Sequence, residues 1–182
     1  MKKSMIMLLT LIIAGMFVSC DKDEIIALPS SQQILFECYY SNYAWGLVHK
    51  GFFINNKGKI MTYSQYPDGG YKSDIGWNFP DSEGNISAKA LMENVRKTTV
   101  RDTSINIDTL KKYAGMIYLV TNDDFTEYPQ MFDAGIVVYT CYQYNENTKT
   151  YKQISLSENG DWVKINNNEY AKQISDWLKT IQ

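Results

Sequence analysis

Trp45-Gly-Leu-Val-His-Lys-Gly-Phe-Phe-Ile54, then Asn55-Asn56-Lys57-Gly58, then Lys59-Ile-Met-Thr-Tyr-Ser-Gln-Tyr66 is the stretch that decides the fold. Its flanks are rich in β-branched and aromatic residues, and its centre holds residue types that tolerate positive φ in a tight turn. The segment predicts an antiparallel hairpin. Upstream, Ile34 to Tyr40 places Ile34, Phe36, Cys38 and Tyr40 on one side of a strand and predicts a partner for it.

Downstream, Tyr66 to Asn85 contains Pro67, Gly69, Gly70, Gly76, Pro80 and Gly84, with Tyr71, Trp77 and Phe79 between them. Loops of that length are uncommon inside a domain and tend to carry function. Ser87 is placed to cap a helix through Arg96, with Ala90, Leu91 and Val95 on one side. Leu110, Tyr113, Ala114 and Ile117 recur at helical spacing over Ile107 to Ile117, and Ile117 to Val120 reads alternatively as the start of a short strand. Asp133 to Tyr144, polar Asn145 to Lys149, and Thr150 to Leu156 predict a second hairpin, followed by a turn over Ser157 to Asp161. Ala171, Ile174, Trp177, Leu178 and Ile181 mark a C-terminal amphipathic helix capped by Asn167 or Asn168. Hairpins with intervening and terminal helices predict an α+β domain, a mostly antiparallel sheet with about three helices packed on one face.

The N-terminus carries an address. Lys2 and Lys3 precede an apolar run from Met5 to Val18 that is too short to span a bilayer, and Phe17-Val18-Ser19-Cys20 follows where cleavage is expected. This segment resembles the bacterial lipobox, in which a signal peptidase cuts before a cysteine that carries lipid. The resemblance implies a signal peptide at 1–19 and a diacylated or triacylated Cys20, since stable anchoring takes more than one acyl chain. An ordinary secretion signal is the alternative. Asp21-Lys22-Asp23-Glu24 resembles the surface-export segment of Bacteroidetes lipoproteins, which implies the outer membrane or cell surface in preference to the inner membrane. Residues 20–31 then form the lipidated N-terminus and tether, and 32–182 a single domain, itself similar in appearance to lipoproteins of gut Bacteroidetes.

Composition excludes several chemistries. The formal charge is −2, loss of Lys2 and Lys3 lowers it by two more, and no basic run is left to track phosphates, so nucleic acid is not an expected partner. Cys38 and Cys141 either form a disulfide or serve as two buried thiols. His49 is the only histidine and shares a strand face with Trp45, Leu47 and Phe53; with no nucleophile motif beside it, we expect a structural, hydrogen-bonded residue. One His and two distant Cys do not make a zinc site. Asp81-Ser-Glu83-Gly84-Asn85 departs from a calcium loop, because Gly84 is at the fourth position, Ile86 at the sixth and Met92 at the last. Asp123, Asp124, Glu127 and Asp133 read as a solvated acidic stretch. No metal or cofactor is expected. Asp108-Thr109-Leu110 resembles the Bacteroidetes O-glycosylation motif but falls within an expected helix.

What remains is aromatic. Tyr39, Tyr40, Tyr43 and Trp45 cluster at one strand connection, and Tyr71, Trp77 and Phe79 punctuate the long loop. Such rings near Asp and Asn suit a glycan or protein surface, or else cover the sheet. Trp45, Tyr71, Trp77 and Phe79 are the candidate ligand-binding residues. The expected function is a lipid-anchored, non-catalytic binding module held to the membrane through Cys20. An inhibitor lipoprotein that blocks an exogenous enzyme is the alternative, and an envelope hydrolase the third.

Overall fold

The computed structural model describes residues 27–44, 47–65, 76–130 and 132–181. Cys20, Trp45 and Tyr71 lie outside the described residues. The chain forms strands β1 (Ile34–Asn42), β2 (Val48–Asn55), β3 (Lys59–Gln65) and β4 (Asn85–Ser87), helix α1 (Ala88–Val95), β5 (Thr99–Ser104) and helix α2 (Ile107–Ala114). A 3-10 turn (Ile117–Leu119) leads to β6 (Phe125–Pro129), β7 (Ile136–Asn145), β8 (Thr150–Gly160), β9 (Trp162–Asn166) and helix α3 (Glu169–Leu178). All nine strands join one antiparallel sheet in the order β5-β3-β2-β1-β7-β8-β9-β6, and β4 pairs with β8. The domain is therefore α+β with a mostly antiparallel sheet and three helices.

The expected hairpin is present, with Phe52 opposite Thr62 and Ile54 opposite Ile60. The second hairpin runs further than its sequence suggests. Ser157 to Gly160 continue β8 instead of turning, because the register shifts between Tyr139 and Thr140 and carries the strand past an extra residue. Ile117 to Val120 closes as a 3-10 turn and its cap, not a strand. Ser87 accepts the N–H of Ala90 at the head of α1, and Asn168, the second of the two candidate caps, accepts those of Tyr170 and Ala171 at the head of α3. Edge strands β5 and β6 are short and polar, and β6 ends in Pro129, features that blunt further pairing.

Both faces of the sheet are covered. A register shift between Ile34 and Phe36 puts Leu35 and Phe36 into the same cluster and leaves Ile34 on the opposite face, so the simple alternation expected from Ile34 onward is broken at its first step. Helices α2 and α3 pack on one face, where Trp177 stacks on Tyr113 at 4.3 Å and meets Phe36 edge-on at 5.2 Å. Helix α1 and the segment before it cover the other face, through Leu91 and Trp77 against Phe53, Tyr63 and Tyr142.

Cys38 and Cys141 are free thiols. They lie on adjacent strands, but Cys38 is opposite Tyr139 and Cys141 opposite Phe36, a diagonal relation that sets side chains roughly 7–8 Å apart and beyond a bridge. Gly51 is demanded by packing, since a Cβ there would sit 2.1 Å from the Cys38 carbonyl oxygen. Trp77 is 9% exposed, 4.4 Å from Tyr63 and stacked at 6.1 Å on Phe53. Replacing it by alanine empties a large part of the second core, so Trp77→Ala should lower unfolding free energy by about 3–5 kcal/mol in urea melts. A loss below about 1 kcal/mol would show that the ring does not support the fold.

Candidate functional site

Two places concentrate polar chemistry, one buried under α1 and one at the end of the sheet. The buried one centres on Glu37, which alternation on β1 would send to solvent but which is buried because this face is also covered. Its Oε1 accepts from the Tyr63 hydroxyl at 2.5 Å, and Oε2 accepts from the Tyr142 hydroxyl at 2.5 Å and Gln153 Nε2 at 2.9 Å. Strands β3, β7 and β8 thus each supply a donor to one carboxylate on β1. Among the described residues no ion pair includes it. Desolvation pushes its pKa from 4.5 up to about 7, although all three donors favour the charged form.

His49 lies on the same face and is only 2% exposed. Its ring is boxed by Tyr39 at 5.1 Å, Tyr63 at 5.2 Å, Trp77 at 5.3 Å and Phe79 at 5.1 Å. Neither ring nitrogen has a hydrogen-bond partner among the described residues, a correction to the expectation of a hydrogen-bonded histidine. Burial drives its pKa from 6.5 down to about 4. The box is closed by the segment before α1. There the Asn78 backbone N–H donates to Asn94 Oδ1 at 2.9 Å, and Asn94 Nδ2 donates back to the Asn78 carbonyl at 2.7 Å. This reciprocal pair pins Trp77 and Phe79 over the sheet.

Of the four aromatic candidates, Trp77 therefore sits in the core and Phe79 is 45% exposed as the outer wall of the box. The cavity between Glu37 and His49 is about 20 Å³, room for one water-sized molecule. The group that titrates nearest neutrality thus lies behind rings, out of reach of a substrate. Sequence reasoning missed Glu37 entirely. Its signal is present in retrospect, for it is the only charged residue between Ile34 and His49, inside a run of aromatic and aliphatic neighbours.

The second place is the end of the sheet where β1 finishes. Asn42 Oδ1 accepts the Ala44 N–H at 2.8 Å while its Nδ2 donates to the Tyr40 hydroxyl at 2.9 Å, and that hydroxyl donates to the Ala134 carbonyl at 3.1 Å. Asp161 Oδ1 accepts the Ala134 N–H at 2.6 Å. Segments 42–44, 132–135 and 160–162 are thereby knitted into one rim around a cleft of about 380 Å³. Tyr43 lines the cleft, and Phe132 and Trp162 adjoin Asp133 and Asp161 in the chain. All three rings are exposed, Phe132 at 93%. Sequence reasoning pointed at this connection through Tyr43 and Trp45 but did not bring Phe132 or Trp162 to it.

Two other acidic groups are committed locally. Asp81 Oδ1 accepts the backbone N–H groups of Glu83 and Asn85, the latter bond holding its carboxyl below the usual range. Glu127 pairs with Lys164 at 2.9 Å. Asp108, Thr109 and Leu110 form the first turn of α2, with Leu110 buried. Among the described residues no three His, Cys, Asp or Glu side chains converge as metal ligands.

Glu37 and His49 make opposed contributions to stability. Glu37 is raised, so its contribution is full below pH 4.5 and is lost as pH rises through about 7. His49 is lowered, so its contribution is full above pH 6.5 and is lost as pH falls through about 4. Between about pH 4.5 and 6.5 the two slopes, each about 1.4 kcal/mol per pH unit, cancel. Removing either partner should expose the other. Relative to the native protein at each pH, His49→Phe should become less stable from pH 4 to 6.5 by about 3 kcal/mol, and Glu37→Gln more stable from pH 4.5 to 7 by a similar amount. Urea melts across that range read both slopes, and slopes of the same sign in the two variants would refute the opposition.

No protein-family model, curated protein or solved structure matches this chain, so both places are known from their geometry alone.

Proposed function

We propose that the protein is a lipid-anchored module of a bacterial envelope that binds a ligand without catalysis, through the aromatic rim at the end of β1. The observation that carries this reading is the placement of the two ends of β1. The chain enters the sheet at Ile34, just after the tether, beside the Asn55 to Gly58 turn. Gln32 fixes that entry, its Nε2 donating to the Tyr142 carbonyl at 2.5 Å and its Oε1 accepting from Tyr118 at 2.8 Å. The rim lies at the other end, beyond Asn42, and nine strand residues separate the two by roughly 30 Å. A lipid on Cys20 would hold the chain at the entry end and leave the exposed rings free for a partner.

Blocking an exogenous enzyme would use the same rim with a protein as ligand. A hydrolase that used Glu37 would need it within reach of substrate, and Trp77 and Phe79 close that approach. Two measurements on cells test the proposal. Cys20→Ala should release the protein from membranes or stop its processing. With Cys20 intact, Phe132→Cys should react with a membrane-impermeant maleimide on whole cells, against a low background, because burial pushes Cys38 up to about 12 and raises Cys141 as well. Membrane retention of a normally cleaved Cys20→Ala protein, or a rim thiol that reacts only after lysis, would count against it.

A further inference from the structure

We propose that the sheet face beside the end of β1 carries a binding cleft of its own, distinct from the rim, for a small organic carboxylate on a flat apolar body. The cleft is about 350 Å³, within the range of small-ligand sites, and every residue that lines it belongs to a strand. Two cross-strand rows make its floor. In one, Tyr40 lies opposite Val137 on one side and Lys50 on the other, and Lys50 lies opposite Ser64. In the next, Phe52 lies opposite Thr62. Side chains directly opposite share a face, as do those two apart along a strand, so the two rows converge on one side of the sheet.

Charge and polarity select the occupant. The described residues lining the cleft include Lys50 and Arg101 and no Asp or Glu, in a chain of negative formal charge. Both cations sit over rings of this face, Lys50 Nζ 5.3 Å from the centre of Tyr40 and Arg101 Cζ 5.8 Å from that of Phe52. Among the described residues Lys50 joins no ion pair, and an ammonium resting on a ring still has donors to offer. The hydroxyls of the inner floor are already committed. That of Tyr40 donates to the Ala134 carbonyl at 3.1 Å, and Thr62 Oγ1 donates to the Thr99 carbonyl at 3.2 Å. A sugar or a nucleoside would find few partners there, and an inorganic anion would leave the rings wet. A carboxylate on a flat apolar body meets both features, its oxygens at the cations and its body against Tyr40, Phe52 and Val137.

The cleft is also fixed before a ligand arrives. Asn42 Nδ2 donates to the Tyr40 hydroxyl at 2.9 Å, and that hydroxyl donates onward to Ala134, so the ring is held in place under Lys50. Phe52 is buried and belongs to the core covered by α2 and α3. Rings held in advance lose little freedom on binding. Tyr40 also joins this cleft to the rim, whose own lining carries Asp133 and Asp161. An anion that suits the sheet face is therefore repelled by the rim.

The test is equilibrium dialysis of 2-naphthoate against the native full chain in the presence of phosphatidylcholine nanodiscs, with nanodiscs alone as the blank. 2-Naphthoate should bind saturably, and 2-naphthamide, the same body without the charge, about tenfold more weakly or worse. Lys50→Gln and Arg101→Gln should each weaken 2-naphthoate several-fold. Ser64→Glu sets a carboxylate directly opposite Lys50 and should weaken it by about tenfold or more. Lys50 and Ser64 are exposed, so their variants should keep the native Tm. Asp133→Asn, in the rim, should leave 2-naphthoate binding unchanged. No binding at millimolar concentration, equal binding of the amide, or indifference to all three cleft variants overturns the proposal. Tighter binding of hexaglutamate would overturn it too and give the face to an acidic protein partner. Loss of 2-naphthoate binding when the nanodiscs contain phosphatidylglycerol would give it to an anionic membrane surface instead. Failure of the anchored binding module looks different, since it appears in membrane release and rim labelling and not in this dialysis.

Discussion

One carboxylate with no ion-pair partner among the described residues governs the centre of this fold. Taking Glu37 out of water costs several kcal/mol, and only three converging donors offset that cost. Those donors come from β3, β7 and β8, so the carboxylate accepts bonds only when four strands hold their registers together. A slip of one residue in β7 would turn Tyr142 to the opposite face and strand a buried acid. The network therefore specifies pairing more than it adds stability. The raised pKa records the same balance, with desolvation outweighing the donors.

Around that network the second face is assembled from rings. Tyr63 serves both structures, donating to Glu37 and walling the box around His49, and Trp77 packs against Tyr63 and Phe53 in turn. The two titratable groups are thus mechanically joined through one tyrosine, although their protonation preferences oppose each other. Phe79 is the outermost layer. The Asn78–Asn94 pair that holds it ties the loop to α1, so the cover over the box moves only if the helix moves with it.

Much of this was legible in the residues. The hairpins, Ser87 as a cap and the C-terminal helix follow from alternation, turn chemistry and helical spacing, which are local properties. β5 and β6 were not legible, because Thr-Val-Arg-Asp-Thr-Ser and Phe-Thr-Glu-Tyr-Pro are edge segments, each with its side chains mostly exposed and no apolar period to detect. The site was hidden for a different reason. Glu37 reads as a solvent position only if one face of the sheet is bare, and whether a face is bare depends on where α1 and the loop before it return. Trp77 was visible as an aromatic in a long loop, but its burial depends on the Asn78–Asn94 pair between residues sixteen positions apart. Segments 132–135 and 160–162 meet through the register of β7 with β8 and the glycine contact at the turn, neither of which a linear pattern carries.

The contrast between the ends of the sheet follows from those glycines. At the entry end, Asn55 caps its own turn through Oδ1 and Gly58 supplies the positive φ, a solution that leaves a polar, closed hairpin. At the far end the turn after β8 meets the turn before β7 backbone to backbone; a side chain at Gly160 would push them apart, and one at Gly135 would strike Ser41 and Asn42 at the end of β1. The backbones approach so closely that the neighbouring large side chains have no interior to fill. Phe132 at 93% exposure is the residue on which this is clearest: the local chain geometry that locks the rim also denies its ring a place in either core. Exposed rings, polar side chains and a backbone with no room for a Cβ at Gly135 or Gly160 thus occur together at this end of the sheet, where the opposite end has only a polar turn.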